Sequence, residues 1–354
     1  MVRAINLVKQ GVKLSVAVCS ILLILLVSCK KDDPKDEEND NNVNPSDKIV
    51  YIANEGNFQW GNASITRYNL TEEKVTNNLY ESVNDVPLGD VAQSMTRIGD
   101  EVFIVVNNSG KVEVVDSRSF EYIATIEGLN SPRHLVHVGQ SKAYLSDLYA
   151  NAINIVNTTS HSVTGSIPLD GWAEQMLFHK GKVYVTNRHK EYLYILDTDT
   201  DAVEDSIHIQ KWAGAIVMDS NNKFWVYSGG DSNEGIDAKI FKINPEEKEV
   251  EDVFSFNDAG GGNLTISPNR NTLYFLKSGV YQMDIEAGSL PGEPLINEED
   301  KLFYSLGISP SGDIFVTDAK DYVQKGTAYH YSATGDLITS FETGIIPGSF
   351  LFVE

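Results

Sequence analysis

The sequence predicts an all-β protein, a seven-bladed β-propeller of four-stranded blades whose ring is closed by the C-terminal strand. Three observations carry this prediction. An aromatic residue inside a short β-branched run recurs seven times, at Tyr51, Phe103, Tyr144, Tyr184, Trp225, Tyr274 and Phe315, mostly about 41 residues apart. Each such run is followed by further short alternating runs separated by Gly, Asn, Asp and Ser turns, with no helical periodicity from residue 49 onward. The last segment, Ile345-Ile346-Pro347-Gly348-Ser349-Phe350-Leu351-Phe352-Val353, reads as an innermost strand with no blade after it, so it should complete blade one.

Taken in order, residues 1–28 read as a lipoprotein signal peptide. Arg3, Lys9 and Lys13 form a basic start, and Leu14 to Val27 is an apolar run short for a membrane span. Leu26-Val27-Ser28-Cys29 resembles a bacterial lipobox, in which Cys29 becomes the lipidated residue that holds the chain to the outer membrane. Residues 29–48 have almost no apolar side chain and are expected to form a disordered acidic tether. Its first residues, Cys29-Lys30-Lys31-Asp32-Asp33, resemble the Lys-acidic-acidic export signal of surface-exposed Bacteroidetes lipoproteins. Both cysteines, Cys19 and Cys29, precede the propeller, which therefore has no disulfide, thiolate metal site or Cys nucleophile. The net charge of −22 argues against nucleic acid as a partner and suits a soluble surface domain.

Residues 49–354 form the propeller. With strands labelled A to D from the axis outward, the aromatic run is strand B. Runs such as Val112–Asp116, Ile153–Asn157 and Leu193–Asp197 are strand C, and runs such as VTGSI and VEDSI are strand D. The A–B and C–D turns fall on one face. They read as tight turn chemistry, for example NLTEEK, DSRSF and DTDTDA. The B–C and D–A loops fall on the other face. They are long and unequal and carry Phe58, Trp60, Tyr149, Trp172, Tyr192, Trp212, Phe303, Tyr304 and Tyr322, which should crowd one end of the ring.

A ligand-binding mouth is the reading this face supports. Phe58, Trp60, Tyr149, Trp172, Tyr192 and Trp212 are the candidate stacking residues, and Asn57, Gln93, Asn108, Arg133, Gln175 and Arg188 the candidate hydrogen-bonding ones. Flat rings among amides suit a large, mostly neutral ligand and suit a polyanion poorly.

Other chemistry is not legible. Asp197–Asp205 has the acidic spacing of a calcium loop but carries Ala202 where the tight-turn Gly should stand and His208 where the bidentate Glu should. His134 and His137, three apart on a strand, point to opposite faces. Gly260-Gly261-Gly262-Asn263 lacks the Lys-Ser/Thr of a phosphate loop and fits a tight passage near the axis. A constellation of Asp147, Arg188 and Asp318 is the enzymatic alternative; a non-enzyme is the expectation.

The stretch from Lys182 to Ile207, KVYVTN through LYILDTDTDAVEDSI, resembles the YVTN family of seven-bladed propellers. NEGNFQWGNAS, LGDVAQSM, VVNNSGKV, SPRH, EQM and GIIPGSF resemble segments of Bacteroides surface lipoproteins described as surface-layer or YncE-like, a group bordering on the BtuG-type lipoproteins. That resemblance implies a cell-surface lipoprotein that binds cobalamin or a related corrinoid, with no cofactor required for chemistry. It also implies delivery to a BtuB-like TonB-dependent outer-membrane transporter. A glycan-binding or scaffold lipoprotein of a polysaccharide-uptake system is the alternative. No individual ligand contact is carried over by the resemblance; the candidate residues come from loop position.

Overall fold

The structure, a computed structural model, describes residues 47–354; the expected signal peptide, Cys29 and the part of the expected tether before Asp47 lie outside the described residues. It contains seven antiparallel four-stranded sheets, arranged as the blades of a propeller. Blade one pairs Pro347–Val353, Ile49–Asn54, Ser64–Asn69 and Lys74–Thr76 from the axis outward. The other blades are consecutive in sequence, as in blade four: Ala173–His179, Lys182–Asn187, Tyr192–Asp197 and Ala202–His208. Closure is as expected: Ile49 pairs with Val353, Tyr51 with Leu351 and Ala53 with Ser349.

Strand B is buried on both faces because a blade covers each side; Ile49–Asn54 has no accessible position. Strand D lies at the rim, and Ala202–His208 is exposed along most of its length. The core is therefore a set of interblade seams. All seven recurring aromatics are buried, and each fills the seam with the next blade. Tyr51 packs with Val102 and Ile104, Phe103 with Leu135 and Ala143, and Tyr144 with Val183 and Val185. Tyr184 meets Phe224, Trp225 meets Leu273 and Phe275, and Tyr274 meets Ile314 and Val316. Phe315 closes the circle against Val50 and Ile52 of blade one. Each ring contributes about 1.5–3 kcal/mol of burial.

The C–D turns share one device. Asn69, Asp116, Asn157, Asp197 and Asn244 each accept N–H groups from residues two and three ahead. The acidic Asp197–Asp205 stretch is one of these turns. Among the described residues no group of three His, Cys, Asp or Glu is placed to hold a metal ion.

Three expectations are corrected. A short helix, Leu79–Asn84, occupies the connection from blade one to blade two, and its buried Leu79 and Tyr80 extend the first seam. Six residues are too few to register as helical periodicity. In blade six the outer strand is only Ile296–Asn297, and a Pro- and Gly-containing excursion over 285–295 replaces the tight C–D turn. Phe303 is buried between blades six and seven, edge-to-face with Tyr329 at 6.4 Å, instead of standing exposed like Phe58, Trp60, Tyr149, Tyr192 and Tyr322; Trp172, Trp212 and Tyr304 are half-buried.

Because blade one holds its innermost strand only through the C-terminus, deleting Ile346–Glu354 removes a full β-ladder and opens two seams. The expected result is a single cooperative melt shifted down by more than about 10 °C, or no melt at all. A truncated protein with the midpoint of the full chain in circular-dichroism melting would contradict this.

Candidate ligand-binding site

The loop face is organised from the end of strand B. The first residue beyond it donates its N–H to the carbonyl just before strand A: Glu55 to Ile346 (2.8 Å), Asn107 to Val91 (2.7 Å), Leu148 to Ser131 (3.0 Å), Arg188 to Trp172 (2.9 Å), Gly229 to Trp212 (3.2 Å) and Ala319 to Leu302 (3.0 Å). Buried polar residues at the strand ends complete the clasp. Asp147 accepts N–H bonds from Asn130, Ser131, Tyr149 and Ala150, so one carboxylate orders the B–C and D–A loops together. Asn187 does the same with Trp172, His189 and Lys190, and Asp318 with Leu302 and Lys320. Asp147 and Asp318 are thus loop organisers. They do not line the cavity that Arg188 lines, so the Asp147–Arg188–Asp318 constellation does not assemble there.

That cavity, about 880 Å³, is open on the ring axis and takes residues from the innermost strand of every blade. A polar belt runs round its mouth. Tyr304 of blade seven donates its hydroxyl to Glu55 of blade one (2.8 Å). Arg133 of blade three donates Nη1–H to Gln93 of blade two, and Nε–H and Nη2–H to Glu174 Oε1 of blade four (2.9 and 2.6 Å). His134 Nε2 stands 3.4 Å from the same Glu174 oxygen. Gln175 accepts the Ile216 N–H through Oε1 (3.3 Å). Two carboxylates and two guanidinium groups leave the belt close to neutral.

The belt is interrupted at blades five and six. Gly229, Gly230 and Gly260 to Gly262 line the cavity there without side chains. Gly261 has φ +76°, and a Cβ on it would meet the Tyr227 hydroxyl at 2.3 Å, so the passage requires glycine. Gly214, also in the lining, faces open space.

An aromatic row approaches the cavity over blades three to five. Tyr149 meets Trp172 edge-on (5.7 Å), Trp172 stacks on His189 (3.5 Å), and His189 meets Trp212 edge-on (5.9 Å). Burial outweighs the nearby Glu234 and, with Lys211 and Arg188, pushes His189 below its ordinary value.

Of the candidate residues, Gln93, Arg133, Gln175, Arg188 and Trp212 line the cavity. Tyr149 and Trp172 do not line it; they belong to the row that ends at Trp212, which does. Phe58 and Trp60 stand on the rim, 63% and 76% exposed. Asn57 donates to the Tyr322 carbonyl (2.6 Å) and Asn108 to Asp90, so both amides serve loop structure. Tyr192 lies further out, against Tyr194 and His208. Tyr304, expected among the loop-face aromatics, is in the lining; His134, His189 and Gly214 are further members of the site that loop position did not single out. Their common signal is position: each adjoins the end of strand B or the start of strand A.

Electrostatics divide the two cavity carboxylates. Burial alone would push Glu174 up, but the Arg133 guanidinium and His134 outweigh it and hold the carboxyl at about 2. Glu55 moves the other way. Burial raises it by more than Tyr304 and Arg133 lower it, and the negative Glu174 adds to the rise.

A family model described as "Domain of unknown function (DUF5074)" matches residues 48–342. No curated protein matches the chain. Among solved structures, the chain is similar to a quinonprotein alcohol dehydrogenase-like protein of Bacteroides thetaiotaomicron, with a TM-score of 0.71 and 16% identity over 88% of this chain and 79% of that one. It is similar to the periplasmic gluconolactonase of Pseudomonas aeruginosa at a TM-score of 0.65 and 11% identity, over 87% of this chain and 99% of that one. It is also similar to AztD of Citrobacter koseri at a TM-score of 0.58 and 10% identity, over 87% and 98%. At these identities the likeness is one of fold.

A carboxylate depressed in the folded state stabilises the fold above its ordinary value, 4.5 for Glu174, and that contribution is lost as pH falls toward 2. Glu174→Gln should therefore lower the unfolding free energy at pH 7 by about 2–3 kcal/mol. In urea melts the gap to the wild type should narrow steadily below pH 4.5. Glu55, displaced upward chiefly by burial, has the opposite dependence, and only the part of its rise that the Glu174 charge supplies differs between the two proteins. A gap unchanged between pH 7 and pH 3 would contradict the Arg133–Glu174 coupling.

Proposed function

The chain belongs to the DUF5074 family, and from that premise we propose that it is a non-enzymatic, lipid-anchored surface protein whose axial cavity captures a broad, neutral, amide-rich ligand, a corrinoid such as cobalamin. The observation that carries the proposal is the pairing of a near-neutral polar belt with an aromatic row at one wide mouth. A corrinoid is a wide, flat ring system fringed with carboxamides. Such a ligand asks for rings to lie against and for alternating donors and acceptors around them, and the belt offers both. A polyanion would meet Glu55 and Glu174 with only two guanidinium groups to offset them. The loops are tied to strand ends by buried polar residues, so the mouth is ordered before any ligand arrives and little ordering entropy opposes binding.

In this reading Cys29 carries the lipid that holds the propeller at the outer membrane, and the captured ligand passes to a BtuB-like TonB-dependent transporter. The resemblance of NEGNFQWGNAS, SPRH and GIIPGSF to BtuG-type lipoproteins supports that assignment. A second reading, glycan capture, is favoured by one observation: Phe58 and Trp60 are exposed on the rim outside the cavity, where an extended chain could lie across them.

Calorimetric titration with cyanocobalamin tests the proposal. Binding at micromolar protein is expected. Gly214→Phe, which fills open space at a position with no neighbour within 4 Å, should weaken binding at least 100-fold while leaving the melting temperature unchanged. Absence of heat with cyanocobalamin, together with heat on titrating an oligosaccharide, would replace the corrinoid with a glycan. Full affinity in Gly214→Phe would move the site out to the Phe58–Trp60 rim.

A further inference from the structure

Glu174 Oε2, Arg188 Nε and Trp212 Nε1 are buried and make no hydrogen bond among the described residues. The three belong to one cluster. Arg188 Nη1 lies 3.9 Å from Glu174 Oε2, and the Arg188 guanidinium sits 5.6 Å from the centre of the Trp212 ring. All three side chains line the axial cavity, and Glu174 is only 5% exposed. Native proteins rarely leave such groups unpaired, and here two donors and one acceptor are left at one spot. Trp212 also holds φ +66°, a left-handed conformation that bulky residues seldom adopt and that gathers at ligand sites.

The chemistry of the unpaired atoms selects a partner. Two N–H groups need an acceptor, and a carboxylate oxygen beside them needs a donor. A carboxylate would supply no donor and would add charge against Glu174. An ammonium would supply no acceptor. A hydroxyl carries both functions on a single atom and fills one side of the gap. A primary carboxamide carries an acceptor oxygen and a donor NH₂ side by side and is neutral. We infer that Glu174, Arg188 and Trp212 form a carboxamide-reading subsite in the wall of the cavity, the ligand oxygen accepting from Arg188 and Trp212 and the ligand NH₂ donating to Glu174.

The subsite is sealed from water until a side chain moves. Arg188 is the member with freedom to do so, its side chain being 42% exposed, and Gly214 beside Trp212 leaves open space for the displaced groups. Hydrogen bonds to a buried acceptor and two buried donors reject an ligand lacking the match far more strongly than apolar contacts can.

This inference rests on the corrinoid reading, since it assigns that ligand's peripheral amides a receptor. The test compares cyanocobalamin with its monocarboxylic acids, in each of which one peripheral carboxamide is hydrolysed, by calorimetry on the purified protein. Wild type should bind at least one of the acids tenfold or more weakly than the parent. Trp212→Phe, which keeps a ring and loses the N–H, should weaken the parent about tenfold. Glu174→Gln, which can donate to a carboxylate, should remove most of the discrimination between parent and acid. Should Glu174→Gln fail to fold, Trp212→Phe and the wild-type comparison suffice. Tight binding of cyanocobalamin with equal affinity for every acid, or an unchanged Trp212→Phe, would overturn the subsite and leave the corrinoid reading standing. No binding of any corrinoid by the wild type would overturn both.

Discussion

One constraint governs this molecule: no blade can bury its own second strand. Strand B is apolar on both faces, and only a neighbouring blade can cover each one. The recurring aromatic is the wedge that fills each seam, from Tyr51 against Val102 and Ile104 round to Phe315 against Val50 and Ile52. Because every seam needs two blades, a ring with one blade incomplete would leave a seam open. The chain therefore brings Pro347–Val353 back to Ile49–Asn54. Stability is distributed round the circle, and the axis is left as the one place where side chains need not interlock.

The two faces follow from the same constraint. On the C–D side the chain only has to reverse direction, and an Asx residue with two N–H bonds is enough, as at Asp116 and Asp197. On the other side each connection must also carry the chain to the next blade. The buried Asp147 and Asn187 hold two loops at once and free the residues beyond them to face the axis. Order at the mouth comes from strand ends that the seams already fix.

Charge at the mouth is arranged by proximity across blades. Arg133 reaches from blade three to Gln93 on one side and Glu174 on the other, and Tyr304 reaches across the ring closure to Glu55. Groups from five different blades become neighbours only because the blades are set side by side in a ring. The glycines at 229–230 and 260–262 break the belt on one side and give the cavity its asymmetry. A ligand would meet side-chain chemistry over most of the rim and bare backbone at the gap.

The repeat of aromatic strands, the turn residues between them and the unmatched C-terminal strand determine the propeller from sequence alone, because each depends on local pattern and copy number. The division into a plain and an elaborate face is equally legible, since it follows from loop length and strand alternation. Tertiary structure decided what the loop residues do. Asn57 and Asn108, read as ligand contacts, are drawn into hydrogen bonds with the Tyr322 carbonyl and with Asp90. Phe303, read as exposed, is the first residue of an innermost strand and is buried in a seam. Glu174, which sequence places only on the loop face in the string EQM, lies buried among Arg133, His134 and Arg188. Arg133 and His134 stand about 40 residues away on the adjacent blade and Arg188 just beyond the next strand, and only the packing of blade against blade brings them within hydrogen-bonding or ion-pair distance of one carboxylate.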